Sequence, residues 1–216
     1  MQRRTLDILF SAGGLALAGL LLILGLVLTS NANFANNYVH DQLAQQKITF
    51  PTVDKLKPEE QESACVVSYA GQALTTGKQA ECYANEFIGL HVKSIANADA
   101  MSYAELGVPQ REVQAKVTAA QAANDPALPG LQKQLADIGT ARETLFKGET
   151  LRGLLLTSYG FSVFGDKADE VAAVAYTVSA LLALLSIAGF VHAFRTPRHV
   201  AFAPAEPTRR ETEDER

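Results

Sequence analysis

Charge is missing from two long stretches of this 216-residue chain, and that absence organises everything else. Ile8–Thr29 (ILFSAGGLALAGLLLILGLVLT) and Val171–Val191 (VAAVAYTVSALLALLSIAGFV) contain no Asp, Glu, Lys or Arg. At 1.5 Å per residue each makes a helix of about 30 Å, enough to cross the hydrocarbon core of a bilayer. Nothing between them is both long and apolar enough to span, so two spans are predicted. Because neither run holds an ionisable group, the pair argues against a proton or ion pathway.

Cysteine is nearly absent as well. Cys65 and Cys82 are the whole supply, with no C-x-x-C, no C-x-x-C-H and no zinc spacing. Outside the cytoplasm an even pair reads as one disulfide, worth about 3 kcal/mol by loop closure. There is no P-loop, no glycine-rich dinucleotide turn and no G-x-S-x-G. Nor is there a basic stripe, which sets nucleic acid aside as a partner.

The basic residues that are present orient the chain. Arg3 and Arg4 precede the first run, and Arg195 and Arg198 follow the second. Residues 31–170 hold 12 Lys+Arg against 17 Asp+Glu. Lys and Arg in short flanks favour the cytoplasm, so both termini are expected inside and the centre outside. The expected order is a cytoplasmic start (1–7), a first transmembrane helix (8–29), an extracytoplasmic helical domain (30–170), a second transmembrane helix (171–193) and a disordered cytoplasmic tail (194–216). The fold class is mostly α, with two transmembrane helices flanking a helical-bundle-like domain. An alternative makes MQRR the start of a signal peptide cleaved near Ser30-Asn31-Ala32, but the apolar run exceeds the usual signal core. Either way the central domain lies outside.

Within the first span, Gly14 with Ala18 and Ala12 with Ala16 stand four apart, spacing that admits a second helix and a homo-oligomer. Beyond it, NYVHDQLAQQ reads as a continuing helix with Tyr38, Val39 and Leu43 on one face. KITFP turns extended because Pro51 disfavours helix at Phe50. Pro58 with Glu59 and Glu60 opens a helix reaching about Leu74, its acids a solvated start. Thr76-x-x-Gln79 is a capping box, and behind it Ala80, Ala84, Phe87, His91 and Ile95 form a core-facing stripe. Cys82 falls off that stripe, so its partner should come from a segment covering the helix's other side. Val113, Val117 and Ala120 make a further stripe. After a break at Asn124–Gly130, Leu131, Leu135, Ile138 and Leu145 share a seam with Arg142. Leu151–Phe164 reads as a membrane-proximal apolar helix, either buried or, as its place beside the span favours, lying at the outer surface with Tyr159, Phe161 and Phe164 at headgroup level as interface or partner contacts.

Three stretches carry a resemblance. NYVHDQLAQQKITFP, ANEFIGLHVKSIA with SYAELG, and FKGETLRGLLLTSYGF resemble a family of largely uncharacterised actinobacterial two-span membrane proteins. The resemblance runs from the first span to the second. It implies the same topology in an actinobacterial envelope and supplies no catalytic residues. Some members carry the label of an aromatic ring-opening dioxygenase subunit, which would need iron held by two histidines and a carboxylate. His192 and His199 fall on the cytoplasmic side, leaving His40, His91 and Glu86. Glu86 lies five residues before His91, about 140° around a helix, so the two do not share a face. His91 reads instead as a core histidine bonded to backbone.

The expected function is therefore non-enzymatic, with no cofactor and no metal: an accessory, scaffold or assembly component of a plasma-membrane or envelope complex. Its partners would be the bilayer and other membrane or envelope proteins. A ligand-binding or sensor module is the alternative, although the tail is too short for a signalling domain. A metal-dependent oxygenase is the remote third reading.

Overall fold

In a computed structural model the chain is described over residues 3–95 and 102–197. It is 84% helical. Among the described residues the only extended pairing is an isolated antiparallel bridge between Thr49 and Ala73. The helices are α1 (Arg3–Gln45), α2 (Pro58–Gln61), α3 (Ala64–Ser68), α4 (Gly77–Cys82), a π-helical stretch Tyr83–Ile88, α5 (Gly89–Ile95), α6 (Gly107–Ala123) and α7 (Leu128–Arg195). Both α1 and α7 are long and apolar enough to cross a membrane. The chain divides into two compact units, Met1–Asn31 with Lys167–Arg216, and Ala32–Asp166.

The first unit pairs the start of α1 with the end of α7, antiparallel. Its contact seam is made of small residues. Ser11, Ala18 and Gly25 are buried at intervals of seven on α1, and Ala172, Ser179, Ser186 and Ala193 at intervals of seven on α7. A seven-residue repeat keeps one helix edge facing its neighbour along the whole contact. Small side chains let the backbones approach closely, where dispersion and interhelical hydrogen bonds act. Ser179 Oγ donates to Ala18 O at 2.7 Å, and Thr29 Oγ1 meets Tyr176 OH at 3.1 Å. A Cβ on Gly25 would sit 2.6 Å from the Tyr176 ring. The large apolar residues point the other way, with Phe10 78% and Leu185 68% exposed. Gly14 and Ala18 thus face Ser186 and Ser179 of their own chain, while Ala12 and Ala16 remain on the outer surface.

The second unit has an ordinary apolar core. Phe50, Val66, Leu74, Ala80 and Ala84 are almost completely buried, joined by Val39 and Leu43 from α1 and Leu155 from α7. Burying each large side chain stabilises by roughly 1.5–3 kcal/mol. The extended KITFP segment is held by Phe50 N donating to Gln72 O (2.9 Å) and Leu74 N to Ile48 O (2.9 Å). That pairing corrects the helix expected from Pro58 to Leu74. It breaks after Gln61, restarts at Ala64 with Ser63 as N-cap, and ends at Ser68, because Gly71 turns with φ +72° and Leu74 pairs with Ile48. The Thr76–Gln79 capping box forms as read. Its helix buries Ala80, Cys82 and Ala84 together, and α3 supplies the covering segment with Cys65.

Val113, Val117 and Ala120 are buried as their spacing implies. Asn124 ends α6 in the left-handed region (φ 49°), and α7 already begins at Leu128. Arg142 stays in the seam because its charge is matched. Its guanidinium lies 4.3 Å over the Tyr103 ring and donates to Tyr103 O (3.2 Å) and Gln110 Oε1 (2.7 Å).

Both long helices run past the segments read from sequence. The first apolar run is embedded in a helix reaching Gln45, since Ala35, Val39 and Leu43 continue a buried stripe at four-residue steps. Ser30–Ala32 therefore lies inside α1. Leu151–Phe164 is part of α7 and no separate surface helix. Gly165 does not interrupt it; a Cβ there would lie 3.1 Å from Ala35 Cβ, so glycine serves the close approach of α1. The tail expected over 194–216 starts within α7, which runs to Arg195, and its part from 198 on, with His199, lies outside the described residues.

Gly25→Ala is expected to destabilise the helix pair by about 1–3 kcal/mol through overpacking against Tyr176. Gly19→Ala, which meets nothing within 4 Å, should be neutral or slightly stabilising. Denaturant titration in detergent micelles distinguishes them. Replacing both cysteines by serine should lower the stability of the second unit by about 2–5 kcal/mol, read as its denaturation midpoint against the oxidised parent.

Candidate functional site

An uncharged groove in the second unit lies between the last turns of α1 and the middle of α7. It encloses about 370 Å³. Tyr38 and Gln42 stand four apart on one edge of α1, and Gln46 follows in the turn just beyond its end. Leu151, Leu154, Leu155, Ser158 and Phe161 share one face of α7 at three- and four-residue spacings, and Ile48 closes one end. None of the lining residues is charged. Thr157 Oγ1 donates to Gly153 O (2.8 Å) and Ser158 Oγ to Leu154 O (3.2 Å), so each offers only lone pairs to a visitor. Gln42 and Gln46 bring amide donors and acceptors.

An aromatic row continues the groove over the surface. Phe34 stacks on Tyr38 at 5.8 Å, and Tyr38 meets the edge of Phe161 at 6.0 Å. Phe34 and Tyr38 are exposed, and Phe164 is 75% exposed. Of the aromatics singled out from sequence, Phe161 joins this row and Phe164 is free-standing. Tyr159 does something else. Its hydroxyl takes a hydrogen bond from Lys78 Nζ (3.3 Å), and that ammonium lies 4.9 Å from the ring centroid. Bonding to Glu81 first, and to Tyr159 second, raises the Lys78 pKa. Cys65 and Cys82 form the expected disulfide, Cα–Cα 6.1 Å.

Reading Glu60 as a solvated acid fails. It is only 3% exposed, and Oε2 accepts from Lys57 N at 2.9 Å. Oε1 lies 3.2 Å from His91 Nε2. His91 Nδ1 is 2.9 Å from Phe87 O, a carbonyl that can only accept, so Nδ1 carries a hydrogen. The Nε2–Glu60 contact therefore needs one further proton shared by the pair. Phe50, Tyr83, Phe87 and His91 stack in sequence around it, with centroids 4.7–5.0 Å apart. Burial first, and the Glu60 carboxylate second, raise the Tyr83 pKa. Nothing in the local pattern distinguishes a buried acid at this capping position from an exposed one. Only the fold of α5 over α2 does.

His40 contacts Asp41 on the surface and Glu86 is exposed. Among the described residues no three His, Cys, Asp or Glu side chains converge as a metal site. In the first unit, His192 Nε2 approaches Asp7 Oδ2 at 3.9 Å. No family model, curated protein or solved structure matches the chain.

Glu60→Gln keeps both hydrogen bonds, since its amide can donate to Nε2 while accepting from Lys57 N. It is expected to cost less than about 1 kcal/mol. Glu60→Ala leaves both partners unmatched and should cost about 1–3 kcal/mol, checked by equilibrium unfolding.

Proposed function

We propose that the chain is a two-pass plasma-membrane protein with both termini cytoplasmic and residues 32–166 on the outer face. There it acts without chemistry of its own, as an accessory, scaffold or assembly component of a membrane or envelope complex. The observation that carries the reading is the exposed aromatic surface of Phe34, Tyr38, Phe161 and Phe164 on a unit whose core is already closed. Aromatic residues are the side chains that protein interfaces enrich. Small residues inward and large apolar residues outward in the helix pair suit a lipid solvent, where water-driven burial is absent. The disulfide suits an oxidising compartment. The resemblance to actinobacterial two-span proteins supplies the envelope setting. Outward-facing Ala12 and Ala16 leave room for a second copy.

The test is a photo-crosslinking residue at Phe164 in the native host, with mild-detergent purification and mass analysis. A stoichiometric partner captured there, and not from Lys133, is the expected result. Protein recovered alone would overturn the scaffold reading. The groove favours a second reading, an extracytoplasmic ligand-binding module, which that outcome would leave standing.

A further inference from the structure

The groove's dimensions and lining constrain what it can hold. From Tyr38 to Gln45, the last residue of α1, the helix rises about 10 Å, and from Leu151 to Phe161 about 15 Å. A volume of about 370 Å³ lies at the small end of small-molecule sites. A partner helix 10 Å across and equally long would displace about 1,100 Å³, so the cleft is too slim to swallow one. The absence of charge from the lining disfavours an ionised ligand, whose desolvation would go unmatched. Tyr38 and Phe161 wall one end, and Leu151 and Ile48 the other. The uncharged hydrogen-bonding groups Gln42, Thr157 and Ser158 lie between them. With both hydroxyl hydrogens already given to backbone carbonyls, the Gln42 amide is the donor a ligand oxygen would meet.

We infer that this groove binds one uncharged lipid, an extended aliphatic chain with a neutral, hydroxyl-bearing head. The inference rests on the ligand-binding reading and names its ligand class. The chain lies along Leu151, Leu154 and Leu155, removing exposed apolar surface from water. An oxygen of the head accepts from the Gln42 amide, and its hydroxyl donates to Ser158 Oγ. A carboxylate or phosphate head in the same place would find no cation.

The chain contains no Trp, so Phe161→Trp provides a single fluorescent reporter at the groove wall. The full-length variant in detergent micelles is titrated with a brominated monoacylglycerol, whose bromines quench indole on contact. Saturable quenching is expected. Adding Gln42→Glu or Ser158→Phe should weaken it at least tenfold, with the disulfide and helix content unchanged. A reporter at Phe146, which packs on Tyr103 outside the groove, should show no saturable quenching. A brominated fatty acid at neutral pH should bind at least tenfold more weakly than the monoacylglycerol.

Quenching that fails to saturate, ignores both substitutions, or is as strong with the fatty acid overturns the inference. Extraction of the natively purified protein separates the two levels of failure. A polar metabolite recovered from the parent and lost in Ser158→Phe would remove the lipid assignment while keeping the ligand-binding reading. Recovery of nothing, together with no quenching, would remove both.

Discussion

Close approach of α1 and α7 along a seam of Ser, Ala and Gly is the contact on which the first unit rests. Two helices whose outward faces are leucine and phenylalanine gain little from hiding leucine between them when the surroundings are equally apolar. What remains is contact distance. Ser11, Ala18 and Gly25 against Ala172, Ser179, Ser186 and Ala193 allow backbones to meet and let Ser179 bond a main-chain carbonyl across the seam. A single added methyl at Gly25 meets the Tyr176 ring, whose hydroxyl is itself held by Thr29.

The second unit obeys the opposite rule, with large apolar side chains inside and polar ones satisfied. Val39 and Leu43 extend α1 into this core, and Leu155 brings α7 to it. Short helices and one bridged extended segment fill the space, tied by the Cys65–Cys82 bond. Glu60 is buried in the packing and Arg142 half-buried, and each has partners. Arg142 lies on Tyr103 and bonds Gln110, while Glu60 shares a proton with His91. A buried charge left unmatched would cost far more than either arrangement contributes.

Function follows from what these two rules leave unsatisfied. The core of the second unit closes without Phe34, Tyr38, Phe161 and Phe164, so those rings are available to something else. The groove beside them has the size and neutrality of a lipid-chain site. Surface contact with a partner protein and occupancy by a lipid are compatible, since the row extends past the groove to Phe34 and Phe164 stands apart from it.

The sequence by itself determined the periodic features. It carried the two charge-free runs, the helix behind the Thr76 capping box, the extended KITFP segment, the stripe of Val113, Val117 and Ala120, and the pairing of the only two cysteines. Each depends on local spacing or on count. Tertiary structure alone decided that Glu60 is buried, that Leu151–Phe164 belongs to α7, and that Gly14 and Ala18 meet their own chain. It also decided that Gln42 and Ser158 share a groove. Apart from the continuity of α7, those facts turn on which helix faces which, across 31 residues for Glu60 and His91 and across more than a hundred for the α1–α7 contacts. Side-chain periodicity reports that a face exists but carries no information about what covers it.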